Sequence, residues 1–425
     1  MKKLLEQLQI GDLDLVKSSK GVKEILFVDT NIGIDHCLGL RKSGHKVYMY
    51  STWQSAFPVF TDYISGDGFE NIVKVDDIGE VLDRVQVVIF ADIGFGAMID
   101  LLRKNNIAVW GAGTSVEKLE SDRIYMREVY SKLGIATPEA VVLKGVKNVL
   151  AYLEKNKGVH FIKLNKFRGN IETFRASGVE DAKVLFESAG FGPYADEFDF
   201  VVEGESEGVE IGCDCFFNGE KFVKPHFFTI EIKGMGNLCK WTEDSIFVSQ
   251  FMDKIADWLK QQKFRGVICV EGFWDGKVYK VIDTTARFPY PDSACYPKSI
   301  VSYPDVLVGV AEGTLDRFEI TKPYQCEIGI YTDNTDQWRV LDIDPEVLPN
   351  IGFRKVVLKN GKYYYVPGDN LVCTCNGQGD TMESAMEEAK KVTDGVKSYN
   401  IQATTGVIDK FKEVVKKLKE LGVEF

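Results

Sequence analysis

The hydrophobic run at residues 85–91 constrains the fold more than any other segment. Its sequence, VQVVIFA, is apolar at nearly every position, which is typical of a parallel strand covered by helices on both faces. Similar runs occur at residues 24–28 and 107–110, and residues 98–104 have helical periodicity. This alternation predicts an open parallel α/β unit at residues 21–113, after an N-terminal extension.

The pattern changes after Gly158. Residues 211–217 and 222–232 alternate between apolar and polar side chains, as antiparallel strands do. Residues 266–274 and 277–283 have the same alternation, and the Asp-Gly pair between them is a strong signal for a β-hairpin. The middle of the chain is therefore predicted to have an α+β fold with antiparallel sheets.

The last part of the chain again combines strands and helices. Residues 326–332 and 371–376 are predicted strands, and residues 381–396 and 406–421 have helical periodicity. We expect a small C-terminal α+β domain at residues 321–425.

Charge and composition narrow the classes of function. The 425 residues include 52 Lys and Arg against 63 Asp and Glu, a formal net charge of -11, and no basic stripe alternates with aromatic residues. Nucleic-acid binding is therefore not indicated, and a small-molecule substrate is favoured.

Residues 1–20 lack an unbroken apolar core, so neither a signal peptide nor a membrane span is expected, and we expect a cytoplasmic protein. The nine Cys residues lack Cys-x-x-Cys spacing and are expected to be buried, reduced thiols, although two closely spaced pairs leave metal binding as an alternative.

Two acidic residues lie in the predicted hairpin, Glu271 in its first strand and Asp283 in its second. A carboxylate in such a strand is unfavourable unless its charge is compensated, and Mg²⁺ shared with nucleotide phosphates would compensate both. Arg287 lies two residues beyond Thr285 on the same face, where it would reach a transferred phosphate. The alternative is a solvated sheet face on which Arg287 pairs with one of the acids.

Earlier segments carry candidate nucleotide contacts. Lys163 lies in an apolar strand and is followed by a short loop with Arg168 and Gly169, an arrangement that can hold phosphates. Glu203 and Glu210 flank a segment whose backbone could recognise adenine while a carboxylate accepts ribose hydroxyls. The alternatives are a Lys that reaches solvent and an exposed acidic loop.

The order of these segments resembles the ATP-grasp ligases, and in particular glycinamide ribonucleotide synthetase, also called phosphoribosylamine–glycine ligase. The similarity covers most of the chain, and no single motif decides it. It is carried by residues 111–123 (GAGTSVEKLESDR), 133–138 (LGIATP), 283–288 (DTTARF), 302–315 and 377–396.

The resemblance implies an ATP-grasp domain of two antiparallel α+β subdomains at residues 114–320, with a lid at about 158–232. It also assigns roles to the candidate residues. Those implied to bind nucleotide are Arg123, Lys163, Arg168, Gly169, Glu203 and Glu210; those implied to bind metal are Glu271, Asp283 and Thr285; and Arg287 is the implied catalytic residue. Thr285 stands where the superfamily has Asn, and Arg123 where the family has Lys.

The implied reaction is ATP-dependent ligation of a carboxylate to an amine through an acyl phosphate, with release of ADP and phosphate. The implied cofactors are ATP and Mg²⁺, with Mn²⁺ as an alternative, and the partners are a small amine and a small carboxylate or amino acid. A nucleotide-binding or regulatory protein with weak catalysis is the alternative. A dehydrogenase is disfavoured because no Gly-x-Gly-x-x-Gly follows the first strand.

Overall fold

The computed structural model describes residues 23–30, 32–40, 45–51, 65–70, 72–166 and 173–425. Its first unit is a five-stranded parallel sheet with the order β3-β2-β1-β4-β5. The strands are β1 (Glu24–Asp29), β2 (Lys46–Ser51), β3 (Ile72–Lys74), β4 (Val87–Phe90) and β5 (Ala108–Trp110), and the helices are α1 (Ile34–Leu40) and α2 (Gly96–Lys104). All four residues of β4 are buried, as its continuous apolar sequence predicted.

The strand order of this sheet reverses at β1, which pairs with β2 on one side and with β4 on the other. A crevice forms at such a reversal, beyond the carboxyl ends of the two strands. Asp29 ends β1 and Asp92 follows β4, and both side chains are buried. The parallel sheet therefore presents two carboxylates at this edge.

Two helices lead from the parallel sheet into the next unit. The sequence predicted helical structure throughout residues 115–133, and the structure divides it into α3 (Thr114–Ser121) and α4 (Arg123–Leu133). The division occurs at Asp122, whose extended backbone leaves the helix and whose side chain accepts a hydrogen bond from the Tyr125 amide at 3.1 Å. Gly134, with φ 68°, ends α4 in the left-handed conformation.

A four-stranded antiparallel sheet follows, with the order β6-β9-β7-β8. Its strands are β6 (Ala140–Lys144), β7 (His160–Leu164), β8 (Thr173–Ala176) and β9 (Asp199–Gly204). Helices α5 (Val146–Lys155) and α6 (Val179–Ala189) pack on one face through an apolar cluster that includes Phe174, Phe186 and Phe200. The opposite face carries Lys163 and Glu203.

The largest sheet has nine strands. Eight follow the order β14-β13-β10-β11-β12-β15-β20-β17, and β22 pairs with β15. The strands are β10 (Val209–Asn218), β11 (Phe222–Ile232), β12 (Gly236–Thr242), β13 (Arg265–Trp274), β14 (Tyr279–Thr285), β15 (Tyr324–Tyr331), β17 (Ile351–Phe353), β20 (Leu371–Gly379) and β22 (Gln402–Ala403). The strands of the C-terminal region thus continue the sheet that β10 to β14 begin.

The remaining elements cover this sheet or extend from it. The helices are α7 (Asp253–Gln261), α8 (Tyr296–Ser299), α9 (Tyr303–Glu312), α10 (Met382–Asp394) and α11 (Val407–Glu420). A small sheet contains β16 (Arg339–Ile343), β18 (Val356–Lys359), β19 (Lys362–Tyr365) and β21 (Val396–Lys397). The predicted combination of a parallel α/β unit with antiparallel α+β units is confirmed.

All nine Cys residues are free and buried. Within the described ranges no helix is both long enough and apolar enough to cross a bilayer.

The two faces of the large sheet differ in chemistry. Along β10, Ile211, Cys213 and Cys215 point into an apolar core shared with α4, α7 and α11. Because successive side chains of a strand alternate between faces, Glu210 and Asp214 lie on the opposite face. This second face carries the polar side chains described next.

Candidate active site

The centre of the polar face is formed by the hairpin of β13 and β14. Its turn is stabilised by the Asp275 carboxylate, which accepts hydrogen bonds from the Lys277 and Val278 amides at 2.9 and 2.8 Å. The antiparallel register then places Glu271 directly opposite Asp283. The predicted hairpin is confirmed, and the two carboxylates lie on its paired strands as expected; their direct facing depends on a register shift between Glu271 and Gly272 that the sequence did not predict.

Gly212 lies beside this pair in the sheet. It is paired with Glu271 on one side and with Thr229 of β11 on the other. A Cβ atom at Gly212 would lie 2.5 Å from the Thr229 hydroxyl and 3.6 Å from Cγ of Glu271. The absence of a side chain here therefore allows the Thr229 hydroxyl to approach the strand closely beside Glu271.

A cavity of about 200 Å³ covers this part of the sheet. Its polar lining includes the predicted residues Glu271, Asp283, Thr285 and Arg287. It also includes residues to which the sequence assigned no role, namely Asp214, Thr229, Glu231, Lys233, Tyr290 and Asp292. The structure therefore brings together all three predicted metal ligands and the predicted catalytic Arg, and adds further acids.

The acids raise one another's proton affinity. Burial and the nearby Glu231 carboxylate raise the pKa of Glu271 well above its usual range, although its side chain keeps 35% of its surface open to the cleft. Burial and Asp292 raise the pKa of Glu231 to about 7, and burial and Asp214 raise that of Asp292. Like charges crowded in a recess favour the protonated forms, so this site is predisposed to bind cations.

Lys233 partly balances the acids. Its ammonium lies 3.6 Å from a Glu210 oxygen and 3.8 Å from a Glu271 oxygen. Burial alone would lower the pKa of Lys233, but Glu271 and Glu210 outweigh it and raise that pKa. The side chain is 68% exposed and extends from the turn between β11 and β12, so it contacts the acids from the solvent side.

Two cationic residues lie next to Asp283. The Lys163 ammonium donates to Glu203 at 2.9 Å and to the Ile282 carbonyl at 3.1 Å, which joins the smaller sheet to β14. Arg123 lies 3.5 Å from the Asp283 carboxylate. These contacts bring the predicted phosphate-binding cations to the edge of the predicted metal pair.

Glu203 has two cationic partners. Besides Lys163, it accepts from Arg127 at 3.0 Å, and its side chain is only 6% exposed. In this structure Glu203 therefore holds the cations in place, and its predicted contact with adenosine stays a prediction. The predicted phosphate residues Arg168 and Gly169 lie outside the described residues.

Arg287 connects the cavity to the parallel sheet. Its Nε atom lies 3.0 Å from a Glu120 oxygen and 3.2 Å from an Asp92 oxygen. Glu120 also accepts from the Ala286 amide at 2.8 Å, which fixes the end of β14. Burial alone would lower the pKa of Arg287, but Glu120 and Asp92 raise it, so the guanidinium keeps its charge.

Sequence analysis assigned no functional role to Glu120 or Asp92. Glu120 could have been noticed because it lies in residues 111–123, one of the segments that carry the resemblance to the ATP-grasp ligases. Asp92 carried a positional signal, because it follows the buried strand β4 at the carboxyl edge of a parallel sheet. Both signals indicate where Glu120 and Asp92 lie in the fold, and neither shows that Arg287 is their partner.

Metal binding at this site would require ligands from outside the chain. In the described part of the chain, no three or more His, Cys, Asp or Glu side chains are grouped so as to hold a metal ion by themselves. Mg²⁺ usually keeps water and substrate phosphate oxygens among its ligands and takes one or two carboxylates from protein. A facing pair of carboxylates with a neighbouring hydroxyl fits that requirement.

Comparison with known proteins gives structural matches alone, since the sequence matches no established family profile and no curated protein. Phosphoribosylamine–glycine ligase from Thermotoga maritima is 16% identical, with a TM-score of 0.68 over 89% of this chain and 98% of that chain. The biotin carboxylase domain of 2-oxoglutarate carboxylase from Hydrogenobacter thermophilus, solved with MgADP, ADP and bicarbonate, is 13% identical, with a TM-score of 0.67 over 95% and 98%. N5-carboxyaminoimidazole ribonucleotide synthetase from Thermotoga maritima is 14% identical, with a TM-score of 0.59 over 89% and 100%.

These matches extend over nearly the whole of each neighbour. The chain therefore has the ATP-grasp fold that these enzymes share, as the order of its sequence segments predicted. At such low identity the similarity establishes the fold alone.

Proposed function

We propose that this protein is an ATP-dependent ligase that joins a carboxylate to an amine through an acyl phosphate. The observation that carries the proposal is the facing pair Glu271 and Asp283, which lies in an open cavity with Arg123 and Lys163 at its edge. Acids paired for a divalent cation beside cations suited to phosphate are the components that phosphoryl transfer requires.

The donor set fits Mg²⁺. Glu271 and Asp283 would hold the ion through carboxylate oxygens, with the Thr285 hydroxyl as a weaker third ligand. When bound, Mg²⁺ would neutralise and orient the phosphate oxygens of ATP. Burial and the neighbouring Glu231 disfavour the charged form of Glu271 and raise its pKa, and a bound divalent cation would compensate that charge.

The cationic side of the site would bind the phosphates of ATP. Lys163 and Arg123 are anchored by backbone carbonyls, so their charges are preorganised. Arg168 and Gly169 would contribute from the loop after β7, and Glu203 and Glu210 would contact the adenosine. The neighbour from Hydrogenobacter thermophilus that was solved with MgADP supports nucleotide binding by this fold.

The chemistry proceeds in two steps. An oxygen of the substrate carboxylate attacks the γ-phosphorus, the bond to the β-phosphate oxygen breaks, and ADP leaves with the electron pair. The amine nitrogen, in its neutral form, then attacks the acyl carbon, the carbon–oxygen bond to phosphate breaks, and the proton that the nitrogen loses passes to the departing phosphate. Arg287, held by Glu120 and Asp92, would stabilise the acyl phosphate and the oxyanion that forms.

We propose the following domain boundaries for this function. Residues 21–113 form the N-terminal α/β domain, residues 114–320 the ATP-grasp domain and residues 321–425 the C-terminal domain, after an extension at 1–20. The lid that excludes water was expected at about 158–232. The small sheet of β6, β7, β8 and β9 is separate from the large sheet and supports a lid at these strands, whereas β10 and β11 pair within the large sheet.

A second candidate function is nucleotide binding with little catalysis. It is favoured by the contacts of Arg287, which is already ion-paired with two protein carboxylates. The two candidates differ in turnover. A pool of small amines and carboxylates should elicit ADP release from a ligase and none from a binding protein.

A thermal-shift titration tests ATP binding directly. Mg-ATP, Mg-ADP and a non-hydrolysable analogue should each raise the melting temperature in a concentration-dependent way. Titration with Mn²⁺ in place of Mg²⁺ compares the two ions. No response to any nucleotide would contradict both candidate functions. Detection of AMP and pyrophosphate, in place of ADP and phosphate, would exclude the acyl-phosphate route.

A further inference from the structure

The cavity beside the metal pair contains more negative charge than Mg²⁺ binding uses. Five carboxylates line it: Asp214, Glu231, Glu271, Asp283 and Asp292. Glu271 and Asp283 have the cationic neighbours Lys233 and Arg123, and they are the proposed ligands of the ion. Asp214 accepts a hydrogen bond from the Tyr296 hydroxyl at 2.5 Å. Glu231 and Asp292 therefore remain without a cationic partner at ion-pair distance among the described residues.

Of these two residues, Asp292 is the stronger indication of a bound ligand. It begins a 3₁₀ turn at Asp292–Cys295, and the residue is 7% exposed. Within the described part of the chain its carboxylate accepts no hydrogen bond from another residue and forms no ion pair, although it lines the cavity. Burying a charged carboxylate without a partner is unfavourable by several kcal/mol in general, so a ligand that supplies donors and positive charge would stabilise the ionised form of Asp292.

A third polar group lines the same cavity. The Tyr290 hydroxyl is buried and has no hydrogen-bond partner in the described structure. Its ring is held by Arg354, whose guanidinium lies 4.1 Å from the ring centroid. Glu231, Tyr290 and Asp292 come from a strand end, a loop and a turn, and all three line one cavity of about 200 Å³.

We propose that Glu231, Tyr290 and Asp292 form a subsite for the ammonium group of the amine substrate. A primary ammonium has three N–H donors and one positive charge, which match the oxygen acceptors of these three side chains and the negative charge that Glu231 and Asp292 carry when ionised. The inference rests on the proposed function for the role of this amine as nucleophile. The subsite lies against Glu271, so an amine bound there is adjacent to the site of phosphoryl transfer.

Other ligands fit this cavity less well. A phosphate group would be repelled by Glu231 and Asp292, and the cavity is too small for a nucleotide. A further metal ion would also need ligands from outside the chain, because among the described residues no three potential ligands are grouped to hold one; Mg²⁺ alone is therefore one arm of the test below. A small organic cation satisfies both the charge and the volume.

The test uses methylammonium chloride as the probe and the full chain as the protein. At constant ionic strength, methylammonium should raise the melting temperature above the value in sodium chloride, and tetramethylammonium, which has no N–H group, should not. Asp292→Asn and Glu231→Gln should each weaken methylammonium binding by at least about tenfold. Asp409→Asn, which changes an exposed carboxylate on α11, should bind as the wild type does.

Two further measurements make the test specific. Without ligand, Asp292→Asn should melt at or above the wild-type temperature, because the amide removes an uncompensated buried charge; this shows that the variant folds. The same variant should keep its response to Mg-ATP. If methylammonium stabilises the protein and Mg-ATP does not, the proposed function fails while the cation subsite stands.

Three results would overturn the assignment. The first is a wild-type protein that responds equally to methylammonium and sodium. The second is unchanged methylammonium binding in both Asp292→Asn and Glu231→Gln. The third is stabilisation by Mg²⁺ alone that disappears in Asp292→Asn, which would make these carboxylates metal ligands.

Discussion

Glu271 and Asp283 stand directly opposite each other on β13 and β14, where the register of the two strands shifts between Glu271 and Gly272. Two carboxylates in this position repel each other unless a cation lies between them or beside them. The structure supplies Lys233 near one and Arg123 near the other, and leaves a cavity above both. The predictions below follow from this pair and its surroundings.

The first prediction concerns the pair itself. Glu271→Gln and Asp283→Asn should each reduce turnover by about a hundredfold or more, because each removes a charged ligand from an enclosed site. Both changes keep the size of the side chain, so the melting temperature of the free protein should be maintained. ATP-dependent product formation, or slow ATP hydrolysis as a surrogate, is the measurement. Asp257→Asn on the exposed side of α7 is the matched control. Wild-type turnover in both site variants would show that these carboxylates are surface charges and do not bind the metal ion.

The second prediction concerns Thr285, which lies on the same face as Asp283. An amide oxygen is a better ligand for Mg²⁺ than a hydroxyl, so Thr285→Asn should keep or improve activity. The concentration of Mg²⁺ needed for half-maximal activity should fall or remain unchanged. Thr285→Val removes the oxygen and should raise that concentration. Equal Mg²⁺ dependence in the Asn and Val variants would show that residue 285 is not a ligand.

The third prediction concerns the contact between Glu120 and Arg287. Glu120→Gln removes one of the two charges that hold the guanidinium, so turnover should fall by about tenfold or more while the KM for ATP changes little. Glu120→Asp keeps the charge and should recover part of the loss. Glu128→Gln, on the exposed side of α4, should behave as the wild type. A change confined to the KM for ATP would instead place Arg287 at the nucleotide.

The fourth prediction concerns stability as a function of pH. Burial raises the pKa of Glu327 to about 8, although Asn237 donates a hydrogen bond to it at 3.1 Å. The folded protein therefore binds a proton here that the unfolded chain releases near pH 4.5. The resulting stability is complete below about pH 4.5 and is lost as the pH rises through about 8.

Glu327→Gln should remove this component. The difference in unfolding free energy between the variant and the wild type should therefore shift in favour of the variant as the pH rises from about 5 to about 8. Denaturant unfolding at several pH values measures it. Parallel pH profiles of the two proteins would show that Glu327 does not titrate in this range.

Sequence patterns predicted many of the strands and helices of this protein. Period-two alternation and an Asp-Gly turn identified the hairpin and the strands of Glu271 and Asp283, because both are local properties of a chain segment. The register shift that sets these two residues opposite each other was not predicted. A continuous apolar run identified a parallel strand, and the order of segments identified the fold. The helix at residues 115–133 was predicted without its interruption, although Asp122 is a typical N-cap residue.

What the sequence alone determined was which residues share a strand and a face. Only the tertiary structure decided which faces meet. Glu120 contacts Arg287 across 167 positions of the chain, and β12 pairs with β15 although three α-helices and two strands of the same sheet lie between them in sequence. Periodicity fixes the direction of a side chain relative to its own element and contains no information about distant partners. The crowding of Glu231 and Asp292 beside Glu271, on which the ammonium subsite depends, arises because packing brings together strands and turns that are far apart in the chain.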